Sequence, residues 1–258
     1  MKTDFKKYQG TGNDFIIFNN LDASLPKLTK ETIAHLCHRR FGIGADGLML
    51  LEKAEGYDFR MVYFNSDGSE STMCGNGGRC VVKFAFDLGL ISDKTLFVAI
   101  DGPHTAFVKD NEVHLGMMDV YDIERNPESA FLNTGSPHYV ELCKEIANVN
   151  VFERGKKTRY SEQFAPGGTN VNFLELRNEN TIEVRTYERG VEDETYSCGT
   201  GVTAAAIIAS YSGYTSPIQV KTKGGNLQVS FNPTPDDTFE NVFLIGPALK
   251  VFEGQVDL

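Results

Sequence analysis

The residues of this chain best suited to chemistry are two cysteines in the same frame, Cys74-Gly75-Asn76-Gly77 and Cys198-Gly199-Thr200-Gly201. Each thiol is followed by Gly-x-Gly and then by an apolar segment that reads as a helix. One runs from Arg79 to Leu88 and is closed by Gly89; the other is Ala/Ile-rich and ends near Gly213. A cysteine at a helix N-terminus lies in the positive end of the macrodipole, which lowers the thiol pKa and favours the thiolate. The glycines let backbone N–H groups approach a ligand, so each helix start can also hold a carboxylate. Two such starts facing each other would set a base on one side of a bound carbon and an acid on the other. That geometry inverts a stereocentre beside a carboxylate. A thiolate takes the α-proton, the opposite thiol returns one, and the N–H groups stabilise the charge building on the carboxylate. The arrangement demands no cofactor.

The two frames belong to a longer repeat. Tyr63 and Tyr187 each stand eleven residues before their cysteine, and Glu70-Ser71 and Glu194-Thr195 stand four and three before it. Gly89 and Gly213 both fall fifteen residues after, where a helix C-cap takes glycine. Upstream, Asn13-Asp14-Phe15 aligns with Asn172-Phe173 or with Asn170. The ordered set points to a duplication and to two similar α/β (α+β) domains, each a mixed sheet with one helix, and a substrate cleft between them.

Strand signals fit this plan in both halves. They fall at 15–18, 48–51, 59–64, 95–100, 105–109 and 112–117, then at 139–142, 171–176, 181–187, 218–223, 227–231 and 242–245. Helical spacing marks Leu28 to Arg40, behind a Thr29 N-cap, and Val151 to Phe164. The polar stretch from Asp119 to Asn133, with Asn126-Pro127, places the boundary between a domain 1–124 carrying Cys74 and a domain 125–258 carrying Cys198. The last strand is free to pack back on the first domain.

At 258 residues, 41% hydrophobic and 23% charged, the chain can bury a substantial core. Its net charge of -10 lacks the basic footprint of a nucleic-acid binder and offers no attraction to anionic membranes. Met1 to Lys7 has no apolar signal region, and the longest apolar run, near Val202 to Ala209, is too short to span a bilayer. Five cysteines without a framework spacing fit a reducing cytoplasm.

Other patterns read blandly. Gly42-Ile43-Gly44-Ala45-Asp46-Gly47 spells G-x-G-x-x-G, but it follows a helix and precedes a strand, the reverse of a dinucleotide fingerprint. His35, Cys37 and His38 lie on one short segment without a second cluster, so no metal site is expected. Cys37, Cys80 and Cys143 read as small core residues, and His104 and His114 as surface residues without a partner.

The whole chain resembles the diaminopimelate epimerase family. The resemblance rests on Gly10-Thr11-Gly12-Asn13-Asp14-Phe15, Asn65 to Glu70 with Met73 to Cys80, Gly135-Ser136-Pro137-His138, and Glu188-Arg189-Gly190 with Ser197 to Gly201. Cys-Gly-Thr-Gly alone also suits the related proline racemases. The resemblance implies two pseudo-symmetric domains, each a curled sheet or barrel around its helix, closing over the substrate, and it implies a homodimer. It makes Cys74 and Cys198 the acid/base pair, with His138 and Glu188 supporting them. Asn13, Asn65, Asn170, Glu188 and Arg189 would hold the polar groups of diaminopimelate, and Gly75, Asn76, Gly199 and Thr200 the reacting carboxylate. A zwitterionic substrate does need a guanidinium for carboxylate and acceptors for ammonium. Ser136 replaces a common Asn, Gly47 stands where some members have a side-chain amide, and Glu192-Asp193 lengthens the loop before Cys198. Two readings compete with diaminopimelate epimerisation: a two-thiol racemase of proline or hydroxyproline, and a non-catalytic amino-acid-binding protein. The asparagines and the Glu-Arg pair favour a longer substrate than proline, and binding alone needs neither thiol.

Overall fold

The computed structural model describes residues 2–258 and divides into two units. One comprises the chain up to Leu115 together with Pro247–Leu258, the other Gly116–Gly246. The division thus falls after Leu115 rather than after Glu124, and the last twelve residues belong with the first unit. The polar stretch expected to be the boundary lies in the second unit, where Val120 is buried and bridges to Phe239.

In the first unit the strands are β1 (Lys2–Gly10), β2 (Asn13–Asn19), β3 (Gly47–Glu52), β4 (Arg60–Asn65), β5 (Glu70–Ser71), β6 (Lys94–Ala99), β7 (Gly102–Lys109) and β8 (Glu112–Gly116). The chain's final strand, β18 (Leu249–Asp257), joins them by pairing antiparallel with β1. Antiparallel pairs join β1 to β2, β3 to β4, β6 to β7 and β7 to β8. Two parallel pairs interrupt the series, β2 with β3 and β4 with β6. A parallel neighbour needs a crossover, and each has its helix: α1 (Lys30–Cys37) before β3 and α2 (Gly75–Asp87) before β6.

The second unit repeats this order. It contains β9 (Glu124–Asn126), β10 (Ser129–Asn133), β11 (Pro137–Leu142), β12 (Asn170–Leu176), β13 (Thr181–Glu188), β14 (Asp193–Thr195), β15 (Ile218–Thr222), β16 (Gly225–Pro233) and β17 (Phe239–Gly246). Counted from β10, the counterpart of β1, the parallel pairs are again the second with the third and the fourth with the sixth, β11 with β12 and β13 with β15. Their crossovers carry α3 (Val151–Arg159) and α4 (Gly199–Ser210). The correspondence is an internal duplication in a mixed α+β fold. It also corrects one alignment: Asn13 opens β2, whose counterpart β11 opens at Pro137, whereas Asn170 opens β12, the counterpart of β3.

Each unit wraps its sheet around the helix that follows a cysteine. In α4, Val202 through Ala209 are all buried, and they pack with Val140, Leu174, Val184, Val220, Val229 and Leu244 from strands all round. A helix apolar on every side belongs inside a core, and alanines let the strands come close. The outer faces are covered by α1, through Ile33 and Leu36 on Ile16, Phe18 and Leu48, and by α3, through Val151 on Val171 and Phe173.

The first of the two central helices starts four residues earlier than its sequence suggests, at Gly75 rather than Arg79. Glycine lowers helix propensity, but a Cβ on Gly78 would lie 2.9 Å from both Leu115 Cδ2 and Met73 Sδ. The stretch from Val151 to Phe164 likewise ends as α-helix at Arg159, and a 3-10 turn covers Glu162–Phe164.

Candidate active site

Cys74 is the N-cap residue of α2, and its thiol makes no capping bond to its own helix. Its Sγ lies 3.6 Å from Asn13 Oδ1, to which the thiol donates, and Asn76 Nδ2 donates to the same oxygen at 3.3 Å. Asn13 in turn donates from Nδ2 to Asp46 Oδ2 at 2.8 Å. Behind this pair stands a charged group: Arg39 binds Asp14 through both terminal nitrogens and reaches Asp46 Oδ1 at 2.7 Å, while Lys7 Nζ is 2.8 Å from Asp14. Burial alone would raise the Asp14 carboxyl, but Arg39 and Lys7 outweigh it and hold the group well below the usual carboxylate range. The Gly42–Gly47 motif therefore contributes an anchor for Asn13, through Asp46, between α1 and β3.

Beneath the start of α2, Arg79 is fully buried. It donates to Gly75 O, Asn76 Oδ1 and Thr11 Oγ1, and its Nε has no partner among the described residues. Burial lowers its pKa, yet a guanidinium stays charged, so the motif that carries Cys74 also carries a buried cation. Asn65 ends β4 at the surface, opposite Gly47 in the β3–β4 register. A Cβ on Gly47 would lie 2.5 Å from Tyr63 Cε2 and 2.7 Å from Phe64 O, so the ring of Tyr63 excludes a side chain there.

Cys198 is the N-cap residue of α4, again without a capping bond from its thiol. Its Sγ is 3.5 Å from Thr200 Oγ1, which is 2.8 Å from His138 Nε2. Burial pushes the His138 imidazole down to about 3, so the ring is neutral. Asn172 Nδ2 lies 3.0 Å from His138 Nδ1. A Cβ on Gly201 would come within 2.3 Å of Asn172 Oδ1, which is why the third residue of this motif is glycine.

Asn170 is buried, and its amide donates to Ser136 Oγ and Pro137 O while accepting from Arg189 N at 2.8 Å. Ser136 Oγ also accepts from Arg189 at 3.5 Å, so Ser136 helps to tie down the Glu188-Arg189 turn. Glu188 closes β13, and Arg189 follows it at the surface. The loop before Cys198 is pinned: Glu192 accepts from Arg159, Tyr160, Tyr187 and the backbone of Gly190.

The sequence reading gave no role to Asp46, Arg39, Asn172 or Thr186, and took Thr200 only for its backbone. Asp46 was visible inside a glycine-rich motif, whereas Asn172 depends on the parallel pairing of β11 with β12. The histidines expected to lack partners have them: His104 bonds Asp101 at 3.2 Å, and His114 stacks on Phe107 with centroids 4.2 Å apart. Among the described residues no cluster of three or more metal-ligating side chains occurs, and no helix is long and apolar enough to cross a membrane.

A family model described as Diaminopimelate epimerase matches residues 5–121 and 130–251. A protein of Flavobacterium psychrophilum named diaminopimelate epimerase is 50% identical over 250 residues, covering 96% of this chain and 97% of the relative. A protein of the same name from Aquifex aeolicus is 38% identical over 275 residues, covering 98% and 97%. Among solved structures, a Bacillus anthracis phenazine biosynthesis protein of the PhzF family superposes with a TM-score of 0.76 over 100% of both chains, at 14% identity, a likeness of fold.

Proposed function

The chain belongs to the diaminopimelate epimerase family, and from that premise we propose that Cys74 and Cys198 are the two acid/base groups with which it converts LL-2,6-diaminopimelate into the meso isomer. It is an isomerase, and its reaction lies in lysine and peptidoglycan precursor biosynthesis. One cysteine, as thiolate, removes the α-proton. The electron pair passes into the adjacent carboxylate, and the other cysteine, as thiol, delivers a proton to the opposite face. The product leaves the two sulfurs with their protonation states exchanged, and nothing is oxidised or reduced.

Backbone N–H groups at Gly75, Asn76, Gly199 and Thr200 hold the reacting carboxylate. The first N–H groups of a helix have no intrahelical partner, and they oppose the charge that develops there. Asn13, Asn65, Asn170, Glu188 and Arg189 hold the remaining polar groups, with His138 and Glu188 supporting the thiols. The observation that carries this reading is the doubled cap: each unit starts its central helix with a cysteine whose sulfur meets a polar side chain instead of capping its own helix.

A cytoplasmic location and a homodimer are part of the same proposal. Five cysteines, an odd number without a framework spacing, suit a reducing compartment. The homodimer rests on the family resemblance, and light scattering tests it. The activity is tested by incubating LL-diaminopimelate with the enzyme in heavy water without added pyridoxal phosphate or metal. The expected result is meso-diaminopimelate carrying one α-deuteron, with no exchange into L-proline or hydroxyproline. Exchange into proline alone, or into no amino acid, overturns the reading.

A further inference from the structure

We propose that Asn172 is a positioning residue that acts through the tautomer of His138 and the hydroxyl of Thr200 to aim a proton donor at the sulfur of Cys198. The inference rests on the acid/base role proposed above for Cys198 and adds how that sulfur is prepared for it.

The polarity of the chain of hydrogen bonds follows from the groups at its far end. Asn172 Nδ2 lies 3.1 Å from the backbone oxygen of Tyr139, which can only accept. That end of the amide is therefore the NH2, and Asn172 Oδ1 accepts from the hydroxyl of Thr186 at 2.9 Å. The second amide hydrogen points at His138 Nδ1, so Nδ1 is the accepting nitrogen. A neutral imidazole then carries its single proton on Nε2. Nε2 donates it to Thr200 Oγ1, leaving the Thr200 hydroxyl hydrogen for Cys198 Sγ. His138, Asn172 and Thr186 are all buried, so water does not compete for these bonds.

A sulfur that receives a hydrogen bond is stabilised as thiolate. The polarity at Cys74 is the reverse, because the thiol donates to Asn13 Oδ1, whose amide is fixed by the Asp46 carboxylate. The two halves of the duplication thus present a donor to one sulfur and an acceptor to the other. Charged groups near the relay are few: α4 contains none, β12 presents neutral Asn170 and Asn172, and β13 ends in Glu188, which Arg189 follows. Of these, Arg189 acts on His138 and opposes its protonation.

The test reads thiol chemistry, not turnover. The unliganded enzyme is treated briefly with iodoacetamide across a range of pH, and alkylation of the Cys74 and Cys198 peptides is followed by mass spectrometry. Asn172→Ala is expected to move the apparent thiol pKa of Cys198 up by about one unit while leaving that of Cys74 in place. Thr200→Val should do the same, and Thr200→Ser, which keeps the hydroxyl, should restore the original value. Were Asn172→Ala not to fold, the Thr200 pair decides alone. An unchanged Cys198 titration in folded Thr200→Val, or equal shifts at both cysteines, overturns the proposal. Loss of the catalytic reading would appear instead as turnover in Cys198→Ala, which this assay does not use.

Discussion

Asn13 donates from Nδ2 to Asp46 Oδ2 at 2.8 Å, and this single bond decides which end of its amide faces Cys74. A carboxylate can only accept, so Asn13 presents its oxygen to the thiol. Arg39 holds Asp46 from the other side, at 2.7 Å. The anchor of a proposed substrate residue is thus a charged group that never needs to touch substrate.

Asp46→Ala should leave the fold intact and lower kcat/KM about 10–100-fold, the value of roughly 1.5–3 kcal/mol for a charge-assisted hydrogen bond. Asp46→Asn keeps an acceptor and should lose less. Steady-state kinetics with circular dichroism as the control decides this, and activity of Asp46→Ala within twofold of the parent rejects the anchor.

Glu192 holds the turn that presents Arg189, accepting from Arg159, Tyr160 and Tyr187. Glu192→Ala should raise KM several-fold, about 1 kcal/mol of lost preorganisation, and change kcat less. Kinetics of the variant over a wide substrate range is the check. A drop in kcat at constant KM would place Glu192 in the chemistry instead of the grip.

Buried His138 sets a pH dependence of stability. Its folded-state pKa is pushed down to about 3, and the unfolded value is about 6.5. Between these values the unfolded chain binds a proton that the folded chain does not. Stability therefore falls as pH drops from about 6.5 towards 3, by up to ~1.4 kcal/mol per pH unit from this residue. Asp14, held low by Arg39 and Lys7, acts later: its contribution is present above about 4 and is lost on further acidification. Urea unfolding at several pH values should show the first slope, and His138→Asn should flatten it. An equal slope in the variant contradicts the assignment.

Cysteine spacing made the duplication legible, because Tyr63, Glu70 and Gly89 recur at the same distances around Cys198 as Tyr187, Glu194 and Gly213. The central helices followed from their apolar runs. By contrast, β18 left no periodic signal: Leu249, Val251 and Phe252 are all substantially exposed, so no buried face alternates along it. The relay behind Cys198 was hidden for another reason. Asn172 meets His138 only because β11 and β12 pair in parallel across a crossover that contains α3, and no local spacing encodes that register. The Asp46 anchor was disguised by a glycine pattern better known for nucleotides.

The account depends most on the claim that both thiols are required at one α-carbon. Its most direct test measures epimerisation and solvent-deuterium incorporation with LL-diaminopimelate for Cys74→Ala and Cys198→Ala, each shown to be folded. Both variants are predicted to lose epimerisation by at least ~10³-fold, since either an acid or a base is missing. Near-normal conversion to the meso isomer by either variant would contradict the two-thiol mechanism.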